Sequence, residues 1–502
     1  MKPNQHFPTT LLILIGLALL LRGVGISQRP LWYDEAFSGL YAEKGLPGML
    51  ATTLGSGVEA AAEEHPLGYY LLLWGWMRWF GESPFAIRSL SVLVGVITVA
   101  VVFFFTRRLF NPRLAIYLTF LAAISPFQVH YSQEVRMYAL LALCLLLCTW
   151  ALWEGMQSNR WGWWLIFSLS AAMAQYVHHL AVFYLAPLAL TPLFFRNWRA
   201  LDRLVIAAGG AILLYLPWLV HLPGQFAKVQ EAYWTQPPGL DRLITTLLSF
   251  VTNLPLPGRW LAGALFISWL LFVLATWLTV KMMRRSQPGW QAGVWLAYLG
   301  VVPVCLLFLF SQWRAVYIER GLLASGLAFI LWIGWAISEG QAPRLVQIGA
   351  GGLLILAAGM GFYQHLTYQG FPYAPFAELD ASLKYRVAAN EVILHSNKLS
   401  LLPGMYYDRT LNQRYLADPP GSGSDTLAKP SQRLLGISAS DSIASATGDA
   451  RRVWFIIFDK AIQEYQANGQ ATHPHLAWLA DHYRLEAIEP WGDLRLYVFT
   501  LR

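Results

Sequence analysis

Up to about residue 363 the chain is a succession of apolar runs separated by short polar loops that carry arginine or lysine; beyond it the pattern changes. A helix needs about 20 apolar residues to cross the hydrocarbon core of a bilayer, and a helix satisfies its own backbone there. Eleven runs approach or meet that length: about 8–26, 85–106, 113–130, 138–155, 161–177, 180–195, 204–221, 259–280, 290–310, 321–337 and 345–363. The run Pro66 to Phe80 holds about 15 residues, with Arg78 and three tryptophans, and reads as a helix lying on the membrane surface. Lys and Arg collect in cytoplasmic loops. Arg107, Arg108 and Arg113, then Arg160, then Arg196, Arg199 and Arg203, then Lys281, Arg284 and Arg285 all fall on one side under this count. The other side receives the loop 27–84, the loop around Glu134, His178-His179, the loop 222–258 and the loop bearing Arg314 and Arg320. Making 66–80 a true span would instead separate Glu134 from Asp34 across the membrane.

From about 364 to 502 the sequence is mixed and polar, with turn-rich stretches at Asp418 to Asp425 and Ser438 to Asp449. Short apolar runs at Val392 to Leu394, Val453 to Phe458 and Leu494 to Phe499 read as strands, and Ala461 to Gln470 as a helix. The expected fold is a polytopic α-helical membrane protein, residues 1–363, with a small α/β extracytoplasmic domain, residues 364–502.

Composition fits this. The 502 residues are 56% hydrophobic and only 13% charged, about half the charged content usual for soluble proteins. The net charge of +8 follows from cytoplasmic basic loops and gives no reason to expect nucleic acid. Cys144, Cys148 and Cys305 lie in apolar runs, so neither a disulfide framework nor a zinc-type spacing is expected.

In such a chain carboxylates near the bilayer are costly and mark functional sites. Asp34-Glu35 follows Leu31-Trp32-Tyr33, shortly after the first span, and opens what reads as a short amphipathic helix against the bilayer; an acidic residue there can also simply favour the helix N-terminus. Glu63, Glu64 and His65 close the same loop, ahead of Pro66. Tyr131-Ser132-Gln133-Glu134-Val135-Arg136-Met137-Tyr138 follows the third span. A carboxylate base, outward cations and no nucleotide fingerprint suit transfer of a sugar from a lipid phosphate to an acceptor hydroxyl. Arginine holds phosphate through two parallel bonds and keeps its charge. Arg136, Arg314, Arg320, Lys228, His178 and His179 are the outward candidates, and the aromatic stretch Tyr233 to Pro238 could line a groove or belong to an interfacial belt.

The order of these motifs, an N-terminal span, Leu-Trp-Tyr-Asp-Glu-Ala, His-Pro-Leu-Gly-Tyr-Tyr and Tyr-Ser-Gln-Glu-Val-Arg-Met-Tyr-Ala-Leu, resembles bacterial GT-C superfamily glycosyltransferases. That group is related to protein O-mannosyltransferases and to the aminoarabinose transferase that modifies lipid A. The resemblance is strong over about 8–200, weaker over later spans and absent over 364–502. It implies a polyprenyl-phosphate sugar donor, an inverting transfer and an extracytoplasmic site; the sugar is expected to be a hexose or pentose, and the plasma (inner) membrane is the default location. It also implies Asp34 as base, Glu35 as its support and Glu134 as the second acidic residue. Arg136, His178, His179, Arg320, Tyr131 and Gln133 would serve the donor, and His65 would stand on the acceptor side. No cofactor is required; a divalent metal, if used, would lie between Asp34 and Glu134. The acceptor would be a lipid-linked glycan, an envelope polymer or a protein. A flippase for lipid-linked sugars is the alternative, although inverted repeats and mid-membrane charges are not apparent. A scaffold would treat the carboxylates only as helix caps.

Overall fold

The computed structural model describes residues 7–53, 65–158, 160–222, 237–418 and 426–502. Glu63, Glu64, Lys228 and Tyr233 to Gln236 lie outside the described residues, as does most of the turn 418–425. The helices of the first part are α1 (Phe7–Gly23), α2 (Tyr33–Ala42), α3 (Gly45–Thr53), α4 (Gly68–Phe80), α5 (Pro84–Leu109), α6 (Pro112–Ile124), α7 (Pro126–Ser132), α8 (Tyr138–Ser158), α9 (Trp161–Val177), α10 (Val182–Ala189), α11 (Thr191–Phe194) and α12 (Trp198–Leu219). They continue with α13 (Leu240–Thr252), α14 (Gly258–Arg284), α15 (Trp290–Trp313), α16 (Leu323–Glu339) and α17 (Arg344–Thr367).

Seven of the described helical stretches are long and apolar enough to cross a membrane, or eight if the bent pair α6–α7 is one span. The other expected spans fall on the shorter helices α1 and α9 and on the broken stretch from His179 to Phe194, so eleven remains a reading of the sequence. The expected straight span 113–130 is broken: α6 and α7 meet at 56°. The cause is local. Pro126 cannot continue α6, disfavours helical backbone at Ser125, and is well placed in the first turn of α7. This bend turns residues 126–136 back into the bundle. Prolines also start α5 and α6, where Ser83 and Asn111 accept from the backbone N–H groups of Ala86 and Leu114.

After α17 come α18 (Phe376–Arg386), α19 (Lys398–Tyr407), α20 (Lys429–Leu435), α21 (Ile443–Thr447), α22 (Asp459–Ala467) and α23 (Pro474–His482). They flank a sheet of β1 (Val392–His395), β2 (Gln413–Leu416), β3 (Ala439–Ser440), β4 (Arg452–Phe458), β5 (Tyr483–Trp491) and β6 (Leu494–Leu501), in the order β3-β2-β1-β4-β6-β5. β3, β2, β1 and β4 run parallel; β6 and β5 are antiparallel. Side chains alternate between faces. Val453, Phe455 and Ile457 enter one apolar cluster, and Trp454, Ile456 and Phe458 the other. Covering both faces explains the unbroken apolar run of β4. The expected strands appear as β1, β4 and β6; β2, β3 and β5 were not anticipated, and the turn-rich stretch 438–449 holds β3 and α21.

This domain is packed on the helices below it. α19 lies along α2, so closely that a Cβ on Gly39 would stand 2.6 Å from the Tyr406 ring. Tyr406 donates its hydroxyl proton to the Glu82 carbonyl, Tyr407 accepts from the Leu31 N–H at 3.1 Å, and Arg409 pairs with Glu43 at 2.5 Å. Hence α2 does not lie against lipid as its amphipathic pattern suggests: every residue from Asp34 to Ala42 is buried.

Candidate active site

Trp32 is extended and the chain turns helical at Tyr33, placing Asp34 and Glu35 in the first turn of α2, where the helix dipole favours negative charge. The two carboxylates then point to different partners. Glu35 is fully buried and bound by Arg88 of α5 through two bonds, Nε to Oε1 at 2.8 Å and Nη2 to Oε2 at 2.6 Å. Arg88 spends its remaining N–H groups on the carbonyls of Ile26, Arg29 and Pro30. Glu35 also accepts from the Val135 N–H at 3.1 Å. This one pair therefore ties the end of α1, the start of α2 and the loop after α7 into a fixed frame.

Asp34 faces cations. Its Oδ2 lies 2.9 Å from Arg320 Nη1 and 3.8 Å from Arg136 Nε. Burial pushes the carboxyl up, but Arg136, Arg320 and His65 together more than offset this and hold it below the usual range. Arg136 is further fixed by Ser38 and Tyr70. Arg320, in the turn before α16, spreads its guanidinium over Trp32 and Tyr138, 5.5 and 5.2 Å from the ring centres. His178 lies between His65 and Tyr138, its ring 5.0 Å from that of His65. Burial holds the His178 imidazole well below its ordinary pKa, so it is neutral. Its Nδ1 accepts from the Leu180 N–H, which leaves the proton on Nε2. That Nε2 is buried and has no hydrogen-bond partner among the described residues.

Glu134 heads a second group. Asn253 donates to His130 Nδ1 at 2.8 Å, so His130 Nε2 carries the proton given to Glu134 Oε1 at 3.0 Å. Tyr373, from the linker after α17, donates to the same oxygen at 3.4 Å. Burial raises the Glu134 carboxyl, and the His130 bond with the Arg29 and Arg320 charges brings it below the ordinary value. Oε2 has no partner among the described residues. Trp32 separates the groups, with Arg320 over its face and Tyr373 at its edge, 6.4 Å between centres.

The site thus has two lobes, one built on Asp34 with paired arginines and one on Glu134, at one end of a helical bundle and under a docked sheet domain. Residues 64–221 match the dolichyl-phosphate-mannose-protein mannosyltransferase family. Comparison with curated proteins gives no match. Among solved structures, the chain superposes on ArnT from Cupriavidus metallidurans in the apo state with a TM-score of 0.64, at 12% identity, over 97% of each chain. The same protein bound to undecaprenyl phosphate gives 0.61, at 12% identity and 97% of each chain. The archaeal oligosaccharyltransferase AglB from Archaeoglobus fulgidus, in complex with an inhibitory peptide and a dolichol-phosphate, gives 0.53 at 11% identity, over 98% of this chain and 74% of that one. The chain has the fold of these solved structures. The likeness reaches the sheet domain, where the sequence showed none, because 97% coverage leaves little of residues 364–502 outside it.

Within that fold the expected site residues divide. Asp34, Arg136, Arg320, His178 and His65 converge, so His65 stands beside the arginines. His179 turns to the Tyr215 hydroxyl at 3.1 Å. Tyr131 stacks on His130, 4.7 Å between centres, with its edge contacts to Phe127 and Tyr138. Gln133 gives both amide N–H bonds to the carbonyls of Arg22 and Val24 and accepts from His365 at 2.7 Å, which makes it a tie to α1 within the Glu134 group. Arg314 stacks on Trp313. Arg88, Trp32, Arg29, His130, His365 and Tyr373 were not anticipated. A lone arginine four residues into an apolar run was the one available signal, for Arg88.

No group of three or more His, Cys, Asp or Glu side chains among the described residues is arranged to hold a metal, and Asp34 faces two guanidiniums.

Proposed function

We propose that this protein is a membrane glycosyltransferase that moves a hexose or pentose from a polyprenyl-phosphate carrier to an acceptor hydroxyl on a lipid-linked glycan, an envelope polymer or a protein. The work is done at the extracytoplasmic face of the plasma (inner) membrane by residues 1–363, with residues 364–502 docked above. The observation that carries this is the buried Asp34 carboxylate held between Arg136 and Arg320. The undecaprenyl phosphate in one similar structure and the dolichol-phosphate in another support the carrier.

In this reading the donor phosphate enters beside Arg136 and Arg320, which are already in place for the charge that develops as the lipid phosphate leaves. His65 and the Nε2–H of His178 add donors. Once the phosphate shares the two guanidiniums, Asp34 loses part of the field that holds its pKa down and becomes a better base. The acceptor oxygen attacks the anomeric carbon from the face opposite the phosphate. The carbon–phosphate-oxygen bond breaks, its electrons leave with the lipid phosphate, and the hydroxyl proton passes to Asp34. A single displacement inverts the anomeric centre. Glu35, held by Arg88 and Val135, fixes α2 while Asp34 works.

Purified protein in lipid discs, given radiolabelled undecaprenyl-phosphate sugars and a membrane extract as acceptor, should transfer label and yield product of inverted configuration. Retained configuration would rule out the single displacement, and absence of transfer from every donor would remove the carrier assignment.

A further inference from the structure

A cavity of about 430 Å³ opens at the seam between the bundle and the sheet domain, lined in part by Tyr373, whose hydroxyl reaches Glu134. Its floor is the end of α1 and of α17, and its roof is the linker 368–375. Arg29 lies in its wall, with Nη1 donating to His365 Nδ1 at 3.1 Å and the guanidinium 4.5 Å above the Tyr373 ring. Nη2 is buried, yet it has no hydrogen-bond partner among the described residues. A buried guanidinium nitrogen left so is costly and is an open donor for whatever enters. Tyr373 forms the partition: one face carries Arg29 and its hydroxyl reaches Glu134. Glu378 is exposed and lines the same cavity. Leu366, near the end of the apolar helix α17, lines the cavity and is 39% exposed, which gives the mouth an apolar rim.

We propose that this cavity is a binding site for one anionic group, a phosphate or carboxylate, with Arg29 as its cation, and that the molecule carrying the group is the acceptor waiting beside Glu134. Only the word acceptor rests on the glycosyl-transfer reading; the anion site stands on its own geometry. The volume suits a headgroup or one sugar ring with its substituents. Arg29 offers a fork that pairs with such an anion, and Tyr373 fixes its plane from below. The apolar rim suits an amphiphile whose chains stay in the bilayer.

The test uses full-length protein in phosphatidylcholine discs and equilibrium dialysis with two labelled probes, dihexanoyl phosphatidate and inorganic phosphate. Saturable binding of dihexanoyl phosphatidate above that of empty discs is expected, weakened roughly ten-fold or more by Arg29→Gln, as expected for a lost charge-assisted bond. Removing the like charge at the rim with Glu378→Gln should tighten binding by about three-fold, an outcome that a misfolded protein cannot produce. Binding is read with undecaprenyl phosphate present in saturating amount to fill the Arg136–Arg320 site, so that only the seam cavity responds. Equal binding of inorganic phosphate would assign the site to the free anion and overturn the membrane-borne ligand. No saturable binding under these conditions, or equal binding by Arg29→Gln, would overturn the site itself. Transfer assays on the same discs separate the two readings: transfer without anion binding refutes this site alone, and anion binding without transfer refutes the glycosyl-transfer reading alone.

Discussion

Replacing Arg88 with Met tests the frame that places Asp34. In the native protein all five N–H groups of Arg88 are used, two on Glu35 and three on the carbonyls of Ile26, Arg29 and Pro30, and neither side chain of the pair is more than 1% exposed. Met fills a similar volume but leaves the Glu35 carboxylate buried with only the Val135 N–H. Removing one partner of such a pair costs about 3–5 kcal/mol, most of it the price of the unpaired charge. The double variant Arg88→Met/Glu35→Gln removes that charge, so its cost should fall below the sum of the single changes by about 1–3 kcal/mol. Unfolding in mixed micelles, followed by near-ultraviolet circular dichroism, reads these differences. Whatever Arg88→Met protein remains folded should transfer sugar about 100-fold more slowly, since a shift of about 1 Å in Asp34 suffices for that. Stability within about 1 kcal/mol of wild type, with full turnover, would refute the frame.

Arg320→Gln removes a charge that holds Asp34 below the usual carboxylate range, so the acid limb of kcat/KM should move to higher pH; an unmoved limb would separate Asp34 from the titrating base. Asp380, buried in the sheet domain and beside Asp408, has its pKa raised to about 8 from 3.8. Between those values the unfolded chain releases a proton that the folded chain keeps, so stability falls as pH rises, by at most about 1.4 kcal/mol per unit, and levels off above the folded value. Asp380→Asn should flatten that slope in pH-dependent unfolding. Gly39→Ala puts a methyl group 2.6 Å from the Tyr406 ring. It should cost about 1–3 kcal/mol and loosen α19 from α2, detectable as faster amide exchange in both helices.

Much of the Asp34 lobe was legible because polar residues stand out in an apolar chain. Asp34, Arg136 and Arg320 each interrupt a loop between long hydrophobic runs. The Glu134 lobe was half hidden: Glu134 and Gln133 are visible, whereas the Arg29–His365 contact joins residues 336 positions apart and leaves no local trace. Arg88 was masked by the 26-residue apolar helix that contains it. The bend at Pro126 was written in Ser125-Pro126, but the hydropathy of the flanking residues outweighed it. In the sheet domain, the apolar runs revealed β1, β4 and β6. β5 escaped because the charges of Arg484, Glu486 and Glu489 break up the apolar pattern of an edge strand and Pro490 reads as a breaker. α2 shows the limit of amphipathic pattern: its face at Gly39 found a protein partner, α19, where the sequence suggested water and lipid.

The most direct measurement is a single-turnover comparison of wild type and Asp34→Asn with a transferable polyprenyl-phosphate sugar, both shown to be folded by their unfolding transitions. Asparagine keeps the shape and cannot take the proton. The variant should still bind the donor beside Arg136 and Arg320 while transfer falls by at least about 100-fold. Transfer at the wild-type rate would contradict a base at Asp34 and pass that role to Glu134.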